Sequence, residues 1–280
     1  MKGLTPQTGK IFDKISKLEC IKEYILIGGT ALSLQINKRL SEDLDFGKWT
    51  STPGKDKPIV NRLLIEQELT EKIGKITKVD TLGFNQVNFE VEGVKISFYA
   101  NQINRSPVGK TIQILNNIKV PDIETIGVMK LEVMQRRSKF RDYFDLYSIL
   151  QENISLNSLL DKAVKYSGNK IKSKNICAFI TNGDNFKKDK EFELLNPKYN
   201  INPDDIAKFI INKLKEENPI ELSKAIYNND RSKVNEILNR APGIVSKRHL
   251  KLINEMKASS KPLDQRIEVH IKQKLKENEH

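Results

Sequence analysis

Apolar residues recur at helical spacing over 10–22, where Ile11, Ile15, Leu18 and Ile21, followed by Ile25, share one side, so the pattern predicts a first amphipathic helix. The period then changes. Residues 23–29, "EYILIGG", form a short apolar run rich in β-formers that stops at two glycines, as a buried strand does. "TALSLQINKRL" (30–40) has helical composition with Thr30 placed as N-cap, and "EDLDFGKW" (42–49) resumes as a strand. A loop at 50–58 precedes a second helix over roughly 59–74, with Val60, Leu63, Leu64 and Leu69 on one side. Period-two patterning follows over 75–82, 85–93 and 94–100, with Glu92-Gly93 as a hairpin turn and a further strand at 111–115. From Pro121-Asp122 the chain turns helical, first through Ile123, Ile126, Met129 and Val133, then again over 139–152. Beyond 150 it reads as helices with polar connectors, an Asn-Gly-Asp loop at 182–184, and breaks at Pro197, Pro203, Pro219, Pro242 and Pro262. The expected architecture is α/β (α+β), a mixed sheet flanked by helices in residues 1–120, followed by a C-terminal α-helical bundle in 121–280.

Composition narrows the class. Hydrophobic residues make up 38% of the 280, enough for two cores, while 30% are charged. Lys and Arg number 48 against 36 Asp and Glu, a net charge of +12, which attracts polyanions such as RNA, DNA and nucleotides. The excess is spread along the chain rather than gathered in one block. Cys20 and Cys177 lie far apart, match no metal spacing and read as buried thiols of a reducing compartment. The first ten residues carry no apolar core of a leader, and no apolar window is long enough to span a bilayer, so a soluble cytoplasmic protein without a membrane partner is expected.

The chemistry concentrates in 28–45. Side chains at i and i+2 of a strand share a face, so Asp43 and Asp45 present two carboxylates together while Leu44 turns to the core. Like charges so close resist ionisation unless a cation lies between them, and hard oxygen ligands suit Mg²⁺ or Mn²⁺. Gly28 and Gly29, at a strand-to-helix junction, let a phosphate approach backbone N–H groups, and Thr30 adds a hydroxyl at the positive helix end. Gly-Gly alone is an ordinary turn, and Asp-x-Asp alone an ordinary strand face. Their union in one strand–helix–strand unit predicts a phosphate cradle beside a metal clamp.

The segment "GGTALSLQINKRLSEDLDF" resembles the signature of the nucleotidyltransferase family that includes the AbiEii/AbiGii phage abortive-infection toxins (the DUF1814 group). The matching positions are Gly28, Gly29, Thr30, Ala31 and Leu32, then Arg39, Ser41, Asp43, Asp45 and Phe46. A second block, "VMKLEVMQRRSKFRDYFDLYSIL", supplies Lys130, Arg137, Arg141, Asp142 and Asp145. The resemblance covers about residues 20–150. It implies a polymerase-β-like nucleotidyltransferase fold in which an NTP's triphosphate lies on the Gly-Gly-Thr turn, with Arg39 and Ser41 also at the nucleotide. Metal held by Asp43 and Asp45 would bridge the phosphates and the acceptor oxygen, Lys130 would reach the phosphates, and Asp142 would orient Lys130 or the acceptor or act as its base. The helices of 121–150 would complete the active-site cleft. Asp145 has the simpler reading of a residue that orients an arginine, and Arg141 with Asp142 that of a helix-surface pair.

One departure stands out. Many such transferases carry a third carboxylate on a neighbouring strand, where this chain offers Ser97; Glu90 and Glu92, sharing a face with Asn88, are the substitutes within reach. The leading expectation is therefore a metal-dependent enzyme moving an NMP from an NTP to an acceptor, RNA such as tRNA or protein, as a toxin with a cognate antitoxin. The alternatives are a catalytically weakened nucleotide- or RNA-binding protein of the same fold, and an interaction module. The segment 181–192, with its lysines, would add phosphate contacts in the RNA reading.

Overall fold

Proline opens the first helix. In α1 (Pro6–Ser16) the Thr5 hydroxyl caps the Thr8 N–H at 3.4 Å, and the N–H that Pro6 lacks would have had no partner in a first turn. The helix thus starts four residues ahead of the predicted 10–22 and ends at Ser16. Leu18 and Ile21 reach the core from the turns that follow. The computed structural model describes residues 1–50, 59–83, 85–102, 106–188 and 190–278, so most of the loop expected at 50–58 lies outside the described residues.

The chain forms two compact units, one of Met1–Asn153 with Phe186–Asn202, the other of Ile154–Asn185 with Pro203–His280. The first unit continues with β1 (Ile25–Ile27), α2 (Gly28–Ile36), β2 (Leu44–Thr50), α3 (Arg62–Lys72), β3 (Ile76–Thr81), β4 (Gln86–Val91), β5 (Val94–Gln102), β6 (Thr111–Leu115), β7 (Ile118–Pro121), α4 (Ile123–Met134) and α5 (Phe140–Leu150). Five strands make a mixed sheet in the order β1-β2-β5-β4-β3; β2 and β5 run parallel and the other pairs antiparallel, while β6 and β7 form a separate ribbon. Glu92 and Gly93 both take left-handed backbone (φ 50° and 68°), the conformation a two-residue hairpin requires between β4 and β5.

One face of this sheet is apolar. Leu44, Phe46, Phe89, Ile96 and Phe98 are buried, and Phe46 stacks on Phe98 with centroids 5.2 Å apart. Strand alternation places Asp45, Ser97 and Asn88 in one row on the other face, since Asp45 pairs with Ser97 and Ser97 with Asn88 in register.

Two helix faces differ from the predicted ones. In α3 the inward residues are Ile65, Glu68 and Leu69, whereas Leu63 is 80% exposed and Leu64 44%. Glu68 is turned inward because its Oε2 accepts the buried Cys20 N–H at 2.8 Å, an otherwise orphaned donor. In α4 the buried residues include Ile126, Lys130, Leu131 and Met134, while Met129 and Val133 are half-buried; the helix is rotated so that Lys130 points inward.

Residues 186–202 belong to the first unit through packing no local pattern announces. Phe186 stacks on Tyr143 at 4.0 Å, Phe192 meets the edge of Phe140 at 4.8 Å, and the Leu40 N–H donates to the Leu195 carbonyl at 2.7 Å.

The second unit is helical: α6 (Leu156–Tyr166), α7 (Ser173–Ile180), α8 (Pro203–Tyr227), α9 (Arg231–Arg240), α10 (Lys247–Ala258) and α11 (Gln265–Asn278). Its core gathers Leu222, Ile226, Val234, Ile237, Ile253 and Ile267 among others. Pro203 opens α8, but Pro219 lies inside it rather than breaking it. The Pro219 carbonyl accepts from the Ser223 hydroxyl at 2.9 Å and from His249 Nε2 at 3.2 Å, which ties the proline turn to α10.

Candidate active site

The strand-to-helix junction after β1 is tighter than the sequence suggests. The helix begins at Gly28 itself, with Ile27 as N-cap and no side chain capping its first N–H groups, so Thr30 is not the N-cap. Thr30 lies within the first turn, where its buried hydroxyl contacts Ser41 Oγ at 2.8 Å and donates to the Asp43 carbonyl. Those contacts fix the chain entering β2 against the start of α2. Gly28 has φ +71°, and a Cβ there would stand 3.1 Å from Asp45 Oδ2; one on Gly29 would stand 2.5 Å from Arg39 Nη2 and 3.2 Å from Ser41 Oγ. The two glycines therefore let a carboxylate and a guanidinium close on the turn. The free N–H groups of a helix start and its positive dipole end form an anion site.

Asp43 just precedes β2, and Asp45 lies on it; both are half-buried. Burial first, then the Glu42 charge, raises the Asp43 pKa. Burial first, then Asp43, raises that of Asp45, with the Ser97 hydroxyl bond, Lys95 and Lys130 opposing. A cation beside the two carboxylates would offset both effects. Ser97 stands beside Asp45, and in the next strand the buried Asn88 Oδ1 has no hydrogen-bond partner. This oxygen-rich row fits a hard divalent ion held by Asp43 and Asp45. Among the described residues no group of three His, Cys, Asp or Glu gathers in metal-binding geometry. Glu90 is exposed and lies opposite Lys95, while Glu92 sits in the hairpin turn with its carboxylate against Gly74, so neither stands in the Ser97 position.

Behind the pair lies a buried ionic network. Arg39 grips Asp145 with two parallel bonds, Nε to Oδ1 at 2.7 Å and Nη2 to Oδ2 at 2.8 Å. Lys130 Nζ reaches Asp142 Oδ1 at 2.8 Å and Asp145 Oδ2 at 2.6 Å, and Arg137 Nε reaches Asp142 Oδ2 at 2.9 Å. Burial alone would raise both aspartates' pKa values, but Lys130 and Arg137 at Asp142, and Arg39 and Lys130 at Asp145, hold them below the usual carboxylate range. Burial likewise opposes the charge of Lys130, which Asp142 and Asp145 restore and raise. Lys130, only 5% exposed, is thus a buried triad member and not a solvated helix lysine. Arg141 does not pair with Asp142; its Nη1 lies 3.5 Å from Glu42. Arg137, about half-exposed, is the network's outward cation, a residue whose role no spacing in the sequence marked.

Residues 11–236 match the family model described as nucleotidyl transferase AbiEii toxin, type IV toxin–antitoxin system. An uncharacterized protein of Aquifex aeolicus (strain VF5) is 24% identical over 169 residues, 59% of this chain and 76% of that one. The crystal structure of JHP933 from Helicobacter pylori aligns at a TM-score of 0.43 and 20% identity, covering 76% of this chain and 96% of that one. MenT4, a nucleotidyltransferase toxin from Mycobacterium tuberculosis H37Rv, aligns at 0.49 and 15%, covering 90% and 92%. No helix among the described residues is long and apolar enough to cross a membrane.

Proposed function

The chain belongs to the AbiEii nucleotidyl transferase toxin family, and from that premise we propose that it transfers a nucleoside monophosphate from an NTP to an acceptor hydroxyl, with RNA the favoured acceptor. The observation that carries this reading is the close approach of Asp45 to Gly28, which sets an uncapped helix start directly against a carboxylate able to hold a divalent cation. The triphosphate rests on the N–H groups of α2, and Mg²⁺ or Mn²⁺ on Asp43 and Asp45 would neutralise the charge that builds on the phosphates.

The acceptor oxygen forms a bond to the α-phosphorus, the bond from that phosphorus to the β-bridging oxygen breaks, pyrophosphate leaves and the hydroxyl proton passes to water. Asp142 orients Lys130 and Arg137 and is a poor base, because those cations keep it ionised and weakly proton-binding. Arg137 supplies the positive charge facing outward, and Lys130 sets the potential from below. The basic surface favours an RNA acceptor, the cytoplasm supplies the NTP, and the toxin family brings a cognate antitoxin into the reading.

Incubation with each α-labelled NTP, Mg²⁺ or Mn²⁺ and total RNA tests the proposal. Labelled RNA with pyrophosphate release supports it, and loss of both in Asp43→Asn and Asp45→Asn assigns the pair. A specific observation favours a second reading: Ser97 stands where a third acid would complete the site, as in a domain that binds nucleotide with its chemistry weakened. Mg²⁺-dependent NTP binding without label in any fraction would select it.

A further inference from the structure

Helix α8 carries a second stripe beside the one it buries. Leu222, Ala225 and Ile226 face the core of the helical unit, but Ile220, Ser223, Lys224 and Tyr227, spaced i, i+3, i+4 and i+7, line an open groove with Arg248 and Leu252 of α10. The groove holds about 300 Å³. Ile220 is 55% exposed and Tyr227 52%, while Leu252 is half-buried. Both ends are fixed. The Pro219 carbonyl meets His249 Nε2 at 3.2 Å, and Lys261, just past α10, sets its Nζ 3.4 Å from the centre of the Tyr227 ring. From Ile220 to Tyr227 the groove follows α8 for about 10 Å, two helical turns.

Its charge is one-sided. Elsewhere in this unit cations meet acids: Lys257 and Lys272 share Glu268, and Lys233 and Arg240 share Glu221. Lys224 and Arg248 are exposed and form no ion pair among the described residues. Glu221, three residues before Lys224, is the acid at helical spacing, and it is already held by Lys233 and Arg240. Arg248 is followed at i+3 and i+4 by Lys251 and Leu252, and no Asp or Glu is among the residues lining the groove.

We infer that this groove docks an acidic amphipathic helix of a partner protein. The apolar side of such a helix covers Ile220, Tyr227 and Leu252, and carboxylates along its margins meet Lys224 and Arg248. Opposite charge sets the approach and orientation, and the half-exposed Tyr227 is the anchor. An RNA strand fits less well, since the aliphatic Ile220 and Leu252 offer no stacking face and Lys261 already lies over the Tyr227 ring. A second copy of this chain also fits less well: α3 exposes Leu63 and Leu64, but its Glu66 and Glu68 are already paired with Arg62 and Lys72.

The test uses the full chain and a fluorescein-labelled helical peptide of leucine and glutamate, about 16 residues long so that it holds a helix, read by anisotropy. Two companion peptides carry serine for every leucine, or lysine for every glutamate. The parent peptide binds wild type, and Tyr227→Ala weakens it about tenfold. Lys224→Glu combined with Arg248→Glu abolishes its binding and gains the lysine peptide instead, a reversal that an unfolded variant would not show. Val269→Ser, which trims an exposed apolar residue of α11 outside the groove, leaves binding unchanged. No binding of the parent peptide, equal binding of either companion by wild type, or equal binding by Tyr227→Ala overturns the inference. A single-stranded RNA that displaces the peptide and itself loses affinity in Tyr227→Ala overturns it in favour of nucleic acid. A sedimenting dimer that Tyr227→Ala dissolves overturns it in favour of a second copy.

Discussion

Arg39 and Asp145, 106 residues apart in sequence, meet in a two-bond pair that is almost wholly buried. Asp145 also takes the Lys130 ammonium, so one carboxylate serves two cations. Removing its charge leaves Arg39 buried without its counter-ion and Lys130 with Asp142 alone. Asp145→Asn is expected to cost about 3–5 kcal/mol at neutral pH by urea denaturation. The sign of its pH dependence follows from the depressed pKa of Asp145: its stabilisation is full above the ordinary carboxylate range near 4 and is lost as pH falls below it. The gap between wild type and variant should therefore close in acid.

Arg39→Lys tests geometry against charge. An ammonium cannot reproduce the two parallel bonds to Asp145, nor the Nη1 donation to the Leu40 carbonyl at 2.8 Å. The variant should lose about 1–3 kcal/mol although its charge is unchanged, measured by the same denaturation.

Gly29→Ala should be more harmful than an ordinary exposed substitution. Its Cβ would meet the Arg39 guanidinium at 2.5 Å, and Asp145 prevents that group from yielding. A loss of about 1–3 kcal/mol is expected, with weakened NTP binding by thermal shift.

Ser97→Asp would add a third charge beside Asp45 and remove the hydroxyl that eases its ionisation. Without divalent ion the variant should melt below wild type. With Mn²⁺ at about 100 times its Kd it should regain about 2.7 kcal/mol, more than wild type gains at the same concentration. Equal metal effects on both proteins would show that the Asp45 row does not bind the ion.

His249 gives the helical unit its own pH response. Burial, assisted by Arg248, lowers its pKa below 6.5 against the pull of the Pro219 and Ser246 bonds. The neutral ring is fully used: Nδ1 accepts the Ser246 N–H at 3.1 Å and Nε2 donates to the Pro219 carbonyl. Protonation would set a donor against a donor at Ser246. Stability is therefore full above about pH 6.5 and declines as pH falls through that value, because the unfolded chain binds the proton first. His249→Gln should be less stable at pH 8 by about 1–2 kcal/mol, with a flatter profile between pH 7 and 5 by chemical denaturation.

Much of the site was legible because it is local. The Asp-Leu-Asp alternation, the glycine junction and the Glu92-Gly93 turn each follow from backbone geometry over a few residues, and Ser97 lies opposite Asp45 in the neighbouring strand. Thr30 misled because capping residues and buried hydroxyls share a composition; only the fold shows that its oxygen serves Ser41 and Asp43. Leu63 and Leu64 misled because apolar spacing does not reveal that Glu68 must face inward to meet Cys20. Pro219 sits inside a helix, and its carbonyl is taken by a histidine thirty residues later, a contact beyond the reach of local periodicity. The contributions of Phe186 and Phe192 depend on partners more than forty residues away, which no local window contains.

That last feature limits how the protein can be taken apart. The backbone leaves the sheet-bearing unit at Asn153, returns at Phe186 and departs again at Pro203. No single cut yields either unit whole. Expression of residues 1–153 alone would strip the rings from Phe140 and Tyr143 and leave the Leu40 amide without the Leu195 carbonyl. The helical portion is therefore not a removable cassette. A chimera that exchanges it must keep residues 186–202 with the sheet-bearing unit, which makes three splice points, after Asn153, Asn185 and Asn202, the minimum for any engineered swap.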